Sequence, residues 1–203
     1  MPDKTGAPAK GNKTVRDILL NLWLSASLVI AIVVILLLIS TYNRLVSLRQ
    51  NCKQGVADID AQLRQRHDLV PNLVATVKGY AAHEQATFEQ VIAARRAAVT
   101  HPDAASEQAL SGAIGSLLAL GEAYPELKAS ANFQSLQGEL ADVEDRLAAA
   151  RRALNAAVSR YNAARESFPS VLFAGMLGFA PESFSELAAD ERATVGSVPA
   201  VAF

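Results

Sequence analysis

The stretch ILLNLWLSASLVIAIVVILLLIS, Ile18 to Ser40, contains no charged residue and decides the fold of this chain. As an α-helix these roughly 23 residues span about 34 Å, which matches a bilayer hydrocarbon core of about 30 Å. Trp23 lies near one end of the stretch and Tyr42 just beyond the other, where interfacial aromatic side chains are expected. The stretch therefore predicts a single transmembrane helix.

A cleaved signal peptide is the main rival to a permanent anchor. Its apolar region is about 7–15 residues long and ends at a site of small residues. The stretch here is longer, and Ser-Thr-Tyr-Asn after it is a poor cleavage site. A lipoprotein anchor is excluded because no apolar stretch directly precedes Cys52, the only cysteine. A lone cysteine also excludes an internal disulfide, so it does not identify the compartment.

The charge of the chain is uneven. Its net charge of −1 gives no argument for nucleic-acid binding. Residues 1–17 carry about +2 and the chain from Thr41 onward about −3, which suits a protein anchored at a membrane. Since Arg44, Arg49 and Lys53 closely follow the span, the positive-inside rule only narrowly places the N-terminus in the cytoplasm. We expect the domain to lie on the non-cytoplasmic side.

The chain divides into four predicted segments. These are a basic, disordered tail (1–17), the transmembrane helix (18–40), a helical bundle (41–180) and a C-terminal tail (181–203). No proline follows the span until Pro71, so we expect the anchor helix to continue into water.

Apolar residues recur at helical spacing throughout the bundle segment. Seven-residue series predict coiled-coil packing of the first helix, through Leu45, Cys52 and Ile59 and through Val56, Leu63 and Val70. We expect a turn at residues 66–68, a second helix to about Thr100, a third over 104–122 capped by Asp103, and a last helix from Pro125.

The last predicted helix has the clearest repeat. One core position holds Phe133, Leu140, Leu147, Leu154 and Tyr161, and the other holds Leu136, Val143, Ala150 and Ala157. The predicted fold is all-α, with an N-terminal transmembrane helix continuing into an antiparallel four-helix bundle. Short turns then return the end of the last helix to the membrane.

Several blocks resemble the LemA family. They include Tyr42-Asn43-x-Leu45-Val46, RQRHDLVPNLVATVKGYAAHE from Arg64 to Glu84, and YPELKASANFQSLQGEL from Tyr124 to Leu140. The resemblance covers about residues 42–192, although Val56 stands where the family often has tryptophan. It implies an anchored antiparallel helical bundle in a bacterial inner membrane and implies little about activity.

Polar residues suggest two candidate sites. A cluster of polar residues lies near the expected membrane-distal turn and contains Arg66, Asp68, Asn72 and Lys78. These residues either form a partner-docking surface or serve only in helix capping and surface solvation. Glu84 and Arg95 fall on an apolar helix stripe, where a buried polar pair that fixes register is favoured over a ligand pocket.

The third candidate site is the apolar segment 168–179, which follows the last helix. It either caps the bundle core or dips into the lipid headgroup region. The residues concerned are Phe168, Phe173, Met176, Leu177 and Phe179.

Catalytic, cofactor and metal motifs are absent from the sequence, which has no Gly-rich phosphate loop, nucleophile elbow or His-Glu-x-x-His spacing. We therefore expect no enzyme, no small-molecule substrate and no nucleic-acid partner. The expected partners are the lipid bilayer and either another protein or further copies of this chain. The first functional hypothesis is membrane organisation or scaffolding; the alternative is an adaptor or sensor for a membrane protease or envelope-stress pathway.

Overall fold

The structure is a computed structural model that describes residues 10–185, and the all-α prediction is confirmed, because this part of the chain contains no β-strand. Its helices, in chain order, are α1 (Lys10–Lys78), α2 (Gln85–Thr100), α3 (Ala104–Ala123), α4 (Pro125–Lys128) and α5 (Ala131–Glu166), followed by a 3₁₀ turn (Ser170–Leu172).

The N-terminal helix α1 is long and apolar enough to cross a membrane, by length and composition. Every residue from Arg16 to Ser40 is exposed, so no other part of the described chain buries the span. Because α1 begins at Lys10, residues 10–17 of the predicted disordered tail are helical instead. The rest of the predicted tails, residues 1–9 and 186–203, lies outside the described residues.

The predicted turn at residues 66–68 is wrong, because α1 continues unbroken to Lys78 and the turn occupies residues 79–84. Pro71 lies inside α1. Proline has no N–H, so the carbonyl of His67, four residues earlier, loses its helical partner. The Nε of Arg95 in α2 donates a hydrogen bond to that carbonyl oxygen at 2.7 Å. A side chain from a neighbouring helix thus replaces the bond that proline removes.

The two long helices α1 and α5 run antiparallel. Gly55 faces Leu154 closely, and Asn132 Nδ2 donates to Thr76 Oγ1 at 3.0 Å near the other end. Beyond the span α1 has about 38 residues and α5 has 36, which correspond to about 57 and 54 Å. The two helices therefore match in length from the membrane to the distal tip, while the shorter α2 and α3 pack alongside only the distal half.

The apolar core is divided into a distal and a proximal cluster. The distal cluster joins α1, α2, α3, α4 and the first half of α5. The proximal cluster lies nearer the span, and it contains Leu45, Cys52, Leu154, Ala157, Val158, Tyr161, Ala164, Ala174 and Phe179.

The predicted core positions of α5 are confirmed, since all nine are buried except the half-buried Ala150. On α1 the prediction holds less well. Val56 is exposed, because Gly55 takes the position that faces Leu154, where an added Cβ would lie only 3.1 Å from the Cβ of Leu154 and 3.2 Å from its Cα.

The predicted start of α3 is confirmed. Asp103 Oδ1 accepts a hydrogen bond from the Ser106 amide at 2.7 Å, and the Asp103 amide donates to Ser106 Oγ at 3.2 Å. The bond from the Ser106 amide holds the pKa of the Asp103 carboxyl below its ordinary value. Pro125 begins a helix as predicted, but that helix ends at Lys128 and α5 begins separately at Ala131.

The Arg95 bond gives a first prediction. Arg95→Met leaves the His67 carbonyl without a partner and should lower the free energy of unfolding by about 1–3 kcal/mol. In a Pro71→Ala background, the amide of residue 71 can donate to the His67 carbonyl. Arg95→Met should then lower the free energy of unfolding by about 1 kcal/mol less than it does in the wild type. Chemical denaturation followed by circular dichroism measures both. An equal cost in the two backgrounds contradicts this account of Pro71.

The distal tip gives a second prediction. The Phe133 ring lies directly over Gly121 at the end of α3, so a Cβ at that position clashes with the ring. Gly121→Ala should therefore lower the free energy of unfolding by about 1–3 kcal/mol. Gly115→Ala, where a Cβ meets nothing, is the matched control and should raise it by up to about 1 kcal/mol. Equal effects in thermal melts would argue against this packing.

Candidate functional site: an apolar base beside the span

After α5 the chain forms a compact apolar segment, residues 168–179, here called the base. It contains the 3₁₀ turn and exposes large apolar side chains to the surroundings. Phe168 is 80% exposed and Met176 is 83% exposed. Val171, Leu172 and Leu177 are exposed as well. Large apolar side chains exposed close together in the chain are typical of surfaces that contact protein or membrane.

The base lies against the end of the span. The rings of Phe179 and Tyr42 pack edge to face, with centroids 5.5 Å apart and an interplanar angle of 72°. A hollow of about 390 Å³ separates the base from α1; its lining is formed by Leu38, Ile39, Tyr42, Phe173, Met176 and Leu177. The base therefore sits at the level where the span ends.

The five predicted interface residues divide between two environments. Phe168, Met176 and Leu177 are exposed, and Phe173 is half-buried in the wall of the hollow. Phe179 is 3% exposed and packs in the proximal core. Phe179 therefore caps the core, Phe173 lines the hollow, and Phe168, Met176 and Leu177 are exposed. Insertion of the exposed residues into the headgroup region stays a prediction.

Residues 180–185, here called the strap, hold the base on α5. Tyr161 Oη donates to the Ala180 carbonyl at 2.8 Å, and burial raises the pKa of this hydroxyl. Asn162 donates to the Glu182 carbonyl at 2.9 Å and accepts from the Glu182 amide at 3.0 Å. Asn155 accepts from the Ser185 amide at 2.9 Å.

Arg165 adds a bond next to the strap, from its Nε to the Phe179 carbonyl at 2.8 Å. Side chains from three successive turns of α5 thus bind main-chain groups of the segment that follows it. This fixes the orientation of the base relative to the helix, so the exposed apolar residues point in a defined direction.

A buried ionic cluster lies between the base and the distal tip. Arg66 is 1% exposed, and its guanidinium pairs with Glu107, with Glu144 Oε1 at 2.6 Å and with Ser111 Oγ at 2.8 Å. His67 Nε2 contacts Glu107 Oε1 at 2.9 Å. The cluster links α1, α3 and α5. Buried charges are costly unless paired, so such a cluster fixes the register of the helices.

Sequence reasoning missed this cluster. Arg66 was expected in a turn at the tip, either in a partner-docking surface or in capping and solvation. It lies inside α1 and is buried, so both alternatives are wrong for this residue. A signal was present in α3, where Glu107 falls on the same stripe as Leu110, Ile114 and Leu117. An acidic residue on that stripe indicates a buried basic partner.

The other predicted polar residues lie elsewhere. Asp68, Asn72 and Lys78 are exposed along α1, with Lys78 at its distal end. The predicted pair of Glu84 and Arg95 does not form. Glu84 precedes the first turn of α2 and accepts from Tyr124 Oη at 3.5 Å, whereas Arg95 binds the His67 carbonyl. The expected stripe fails because the turn, not the helix, contains Glu84.

Within residues 10–185 no three His, Cys, Asp or Glu side chains are grouped closely enough to hold a metal ion. Cys52 is buried in the proximal core.

Comparison with known proteins confirms the resemblance found in the sequence. The model of the LemA family matches residues 55–203. The magnetosome protein MamQ of Magnetospirillum gryphiswaldense is 24% identical over 189 aligned residues, which cover 78% of this chain and 70% of MamQ. MamQ 1 and MamQ 2 of Paramagnetospirillum magneticum are each 25% identical over 188 residues, which cover 76% of this chain and 69% of theirs.

The ionic cluster gives a third prediction. Glu107→Gln leaves the buried Arg66 short of its main counter-charge and should lower the free energy of unfolding by about 3 kcal/mol. Glu144→Gln is the matched control. Its side chain is 49% exposed, so water screens the pair and the cost should stay under about 1 kcal/mol. Denaturant titration of both variants measures the difference, and a neutral Glu107→Gln would contradict the assigned role.

Proposed function

The chain belongs to the LemA family, and from this premise we propose that it is a non-enzymatic, single-pass membrane protein whose helical stalk organises membrane or holds other membrane proteins. The observation that carries the proposal is the apolar base, which lies beside the end of the span and exposes Phe168, Leu172 and Met176. The span and the base together give the domain two apolar elements at one membrane face.

Burial in the interface explains why the base exposes so much apolar surface. In water each large apolar side chain left exposed forgoes about 1.5–3 kcal/mol of transfer free energy. Amphipathic elements at a bilayer surface bury their apolar residues at the boundary between headgroups and acyl chains. The base presents such residues next to Leu38 and Ile39, the last turn of the span, and so lies at the depth of that boundary.

A rigid connection between span and bundle makes such an insertion consequential. Because α1 is one helix from the span to Lys78, the domain is not flexibly tethered. The base therefore enters the same leaflet beside every copy of the span and adds volume on one side of the bilayer. Volume added to one leaflet bends or locally reorganises membrane, which is the activity we assign to the stalk.

Location and partners follow from the same proposal. The relatives are bacterial membrane-associated proteins, and we propose the inner membrane for this chain, with the bundle on the non-cytoplasmic side. The bilayer is its first partner. The exposed Asp68, Asn72 and Lys78 leave the distal half of α1 available to a protein partner or a further copy.

Vesicle shape tests the proposed function. The full chain is reconstituted into phosphatidylethanolamine and phosphatidylglycerol vesicles, and their diameters are measured by electron cryo-microscopy. The wild type should produce narrower vesicles or tubules than protein-free lipid. The triple variant Phe168→Ser, Leu172→Ser, Met176→Ser should return the diameters to those of protein-free vesicles, because the base no longer inserts.

The matched control removes the same number of exposed apolar residues from elsewhere on the stalk. Val56→Ser, Ile92→Ser, Val99→Ser changes three exposed side chains remote from the base and should deform vesicles as the wild type does. If the base variant deforms vesicles equally well, or the wild type has no effect, the proposed function is wrong.

A further inference from the structure

We propose that the hollow between the span and the base binds one acyl chain of a glycerophospholipid from the surrounding leaflet. The inference rests on the proposed function, since it takes the base to lie in the membrane interface. It goes further by assigning a ligand class to a defined site, with α1 as one wall and the base as the other.

The walls of the hollow are chemically uniform. Leu38, Ile39 and Tyr42 line it on one face of α1, and Phe173, Met176 and Leu177 line it on the base. The surface they present to the hollow is apolar. Its volume of about 390 Å³ lies in the range of about 300–1,000 Å³ typical of small-molecule sites.

Water is a poor occupant of this hollow. An ordered water needs about two to four polar partners, and the lining offers none. An unfilled hollow forfeits the dispersion contacts of every atom that lines it. A flexible hydrocarbon chain restores those contacts and requires no hydrogen bond.

The position of the hollow identifies the source of that chain. Leu38 and Ile39 belong to the last turn of the span, line the hollow and remain exposed, so the hollow adjoins the lipid-facing surface of the span. An acyl chain enters sideways from the leaflet without leaving hydrocarbon. Tyr42, two residues beyond the span, marks the headgroup end, so the hollow takes the upper methylenes nearest the ester.

The base keeps the hollow open because it is held elsewhere. Phe179 is fixed against Tyr42, and the strap is bonded to α5. These contacts hold the segment from Phe173 to Leu177 at its C-terminal end, and hydrogen bonds from the amides of Phe173 and Ala174 to the Ser170 carbonyl hold its N-terminal end, while the hollow separates it from α1. A bound acyl chain fills the gap and joins the base to the span.

Photolabelling of the full chain in phosphatidylcholine vesicles tests the proposal. The probe is a phosphatidylcholine with a diazirine on an acyl carbon near the ester, and labelled residues are located by mass spectrometry. Labelling should concentrate on Ile39, Phe173 and Leu177. A second probe, with its diazirine at the chain terminus, should label these three residues much less.

Two bulky variants separate the hollow from general contact with lipid. Leu177→Trp fills the hollow and should abolish labelling at Ile39 and Phe173. Leu172→Trp, on the same base but outside the lining, should leave that labelling unchanged. Ile39→Phe fills the hollow from the opposite wall and should repeat the loss at Phe173 even if Leu177→Trp disturbs the base.

The outcomes distinguish this inference from the function on which it rests. If Phe168 and Leu172 are labelled but the lining residues are not, or if the filling variants change nothing, the acyl-chain site is wrong and the membrane-inserted base stands. If no residue of the base is labelled by either probe, the proposed function and the acyl-chain site are both wrong.

Discussion

The guanidinium of Arg66 holds the stalk in one arrangement, since it reaches from α1 to carboxylates on both α3 and α5 in the middle of the bundle. Apolar residues above and below it pack into separate clusters. Displacement of one helix along another by a turn would leave an unpaired ion in the core, so the paired charge opposes such a shift. The register of α1 against α3 depends on the buried pair with Glu107, and the half-exposed Glu144 adds a weaker link to α5.

In the same region α1 continues through Pro71, a residue that normally breaks or kinks a helix. Pro71 would ordinarily interrupt α1, yet Arg95 bonds the carbonyl that proline leaves free, and His67 beside it contacts Glu107. Two helices, α2 and α3, thus support α1 where its own hydrogen bonding fails. This support at Pro71 keeps α1 continuous, so one helix joins the span to the distal tip.

Much of the fold could be predicted from the sequence, because span length, the heptads of α5 and the Asp103 cap are local patterns. The turn after α1 could not, because Pro71 suits the first turn of a new helix as well as the interior of an old one, and only Arg95 decides between them. Because the turn was predicted at residues 66–68, Arg66 was wrongly placed at the surface and Glu84 was wrongly placed on the apolar stripe of the second helix. The apolar character of residues 168–179 was visible in the sequence, but the division between the capping Phe179 and the outward Phe168 required the strap, whose bonds run to main-chain groups that no side-chain pattern reveals.

Because α1 is unbroken, a tilt of the span in the membrane moves the distal end of the stalk sideways. Transmembrane helices tilt to fit bilayers of different thickness, by about 20° on average. A continuous helix of about 57 Å beyond the span converts a tilt of that size into a sideways displacement of about 20 Å at the tip. The thickness of the bilayer therefore determines the position at which Lys78 and the neighbouring turns contact other molecules. In bilayers of unequal thickness, the same tip residues would lie at different lateral distances from the point where the span leaves the membrane. A partner held at one position would therefore bind the stalk in one bilayer and not in the other.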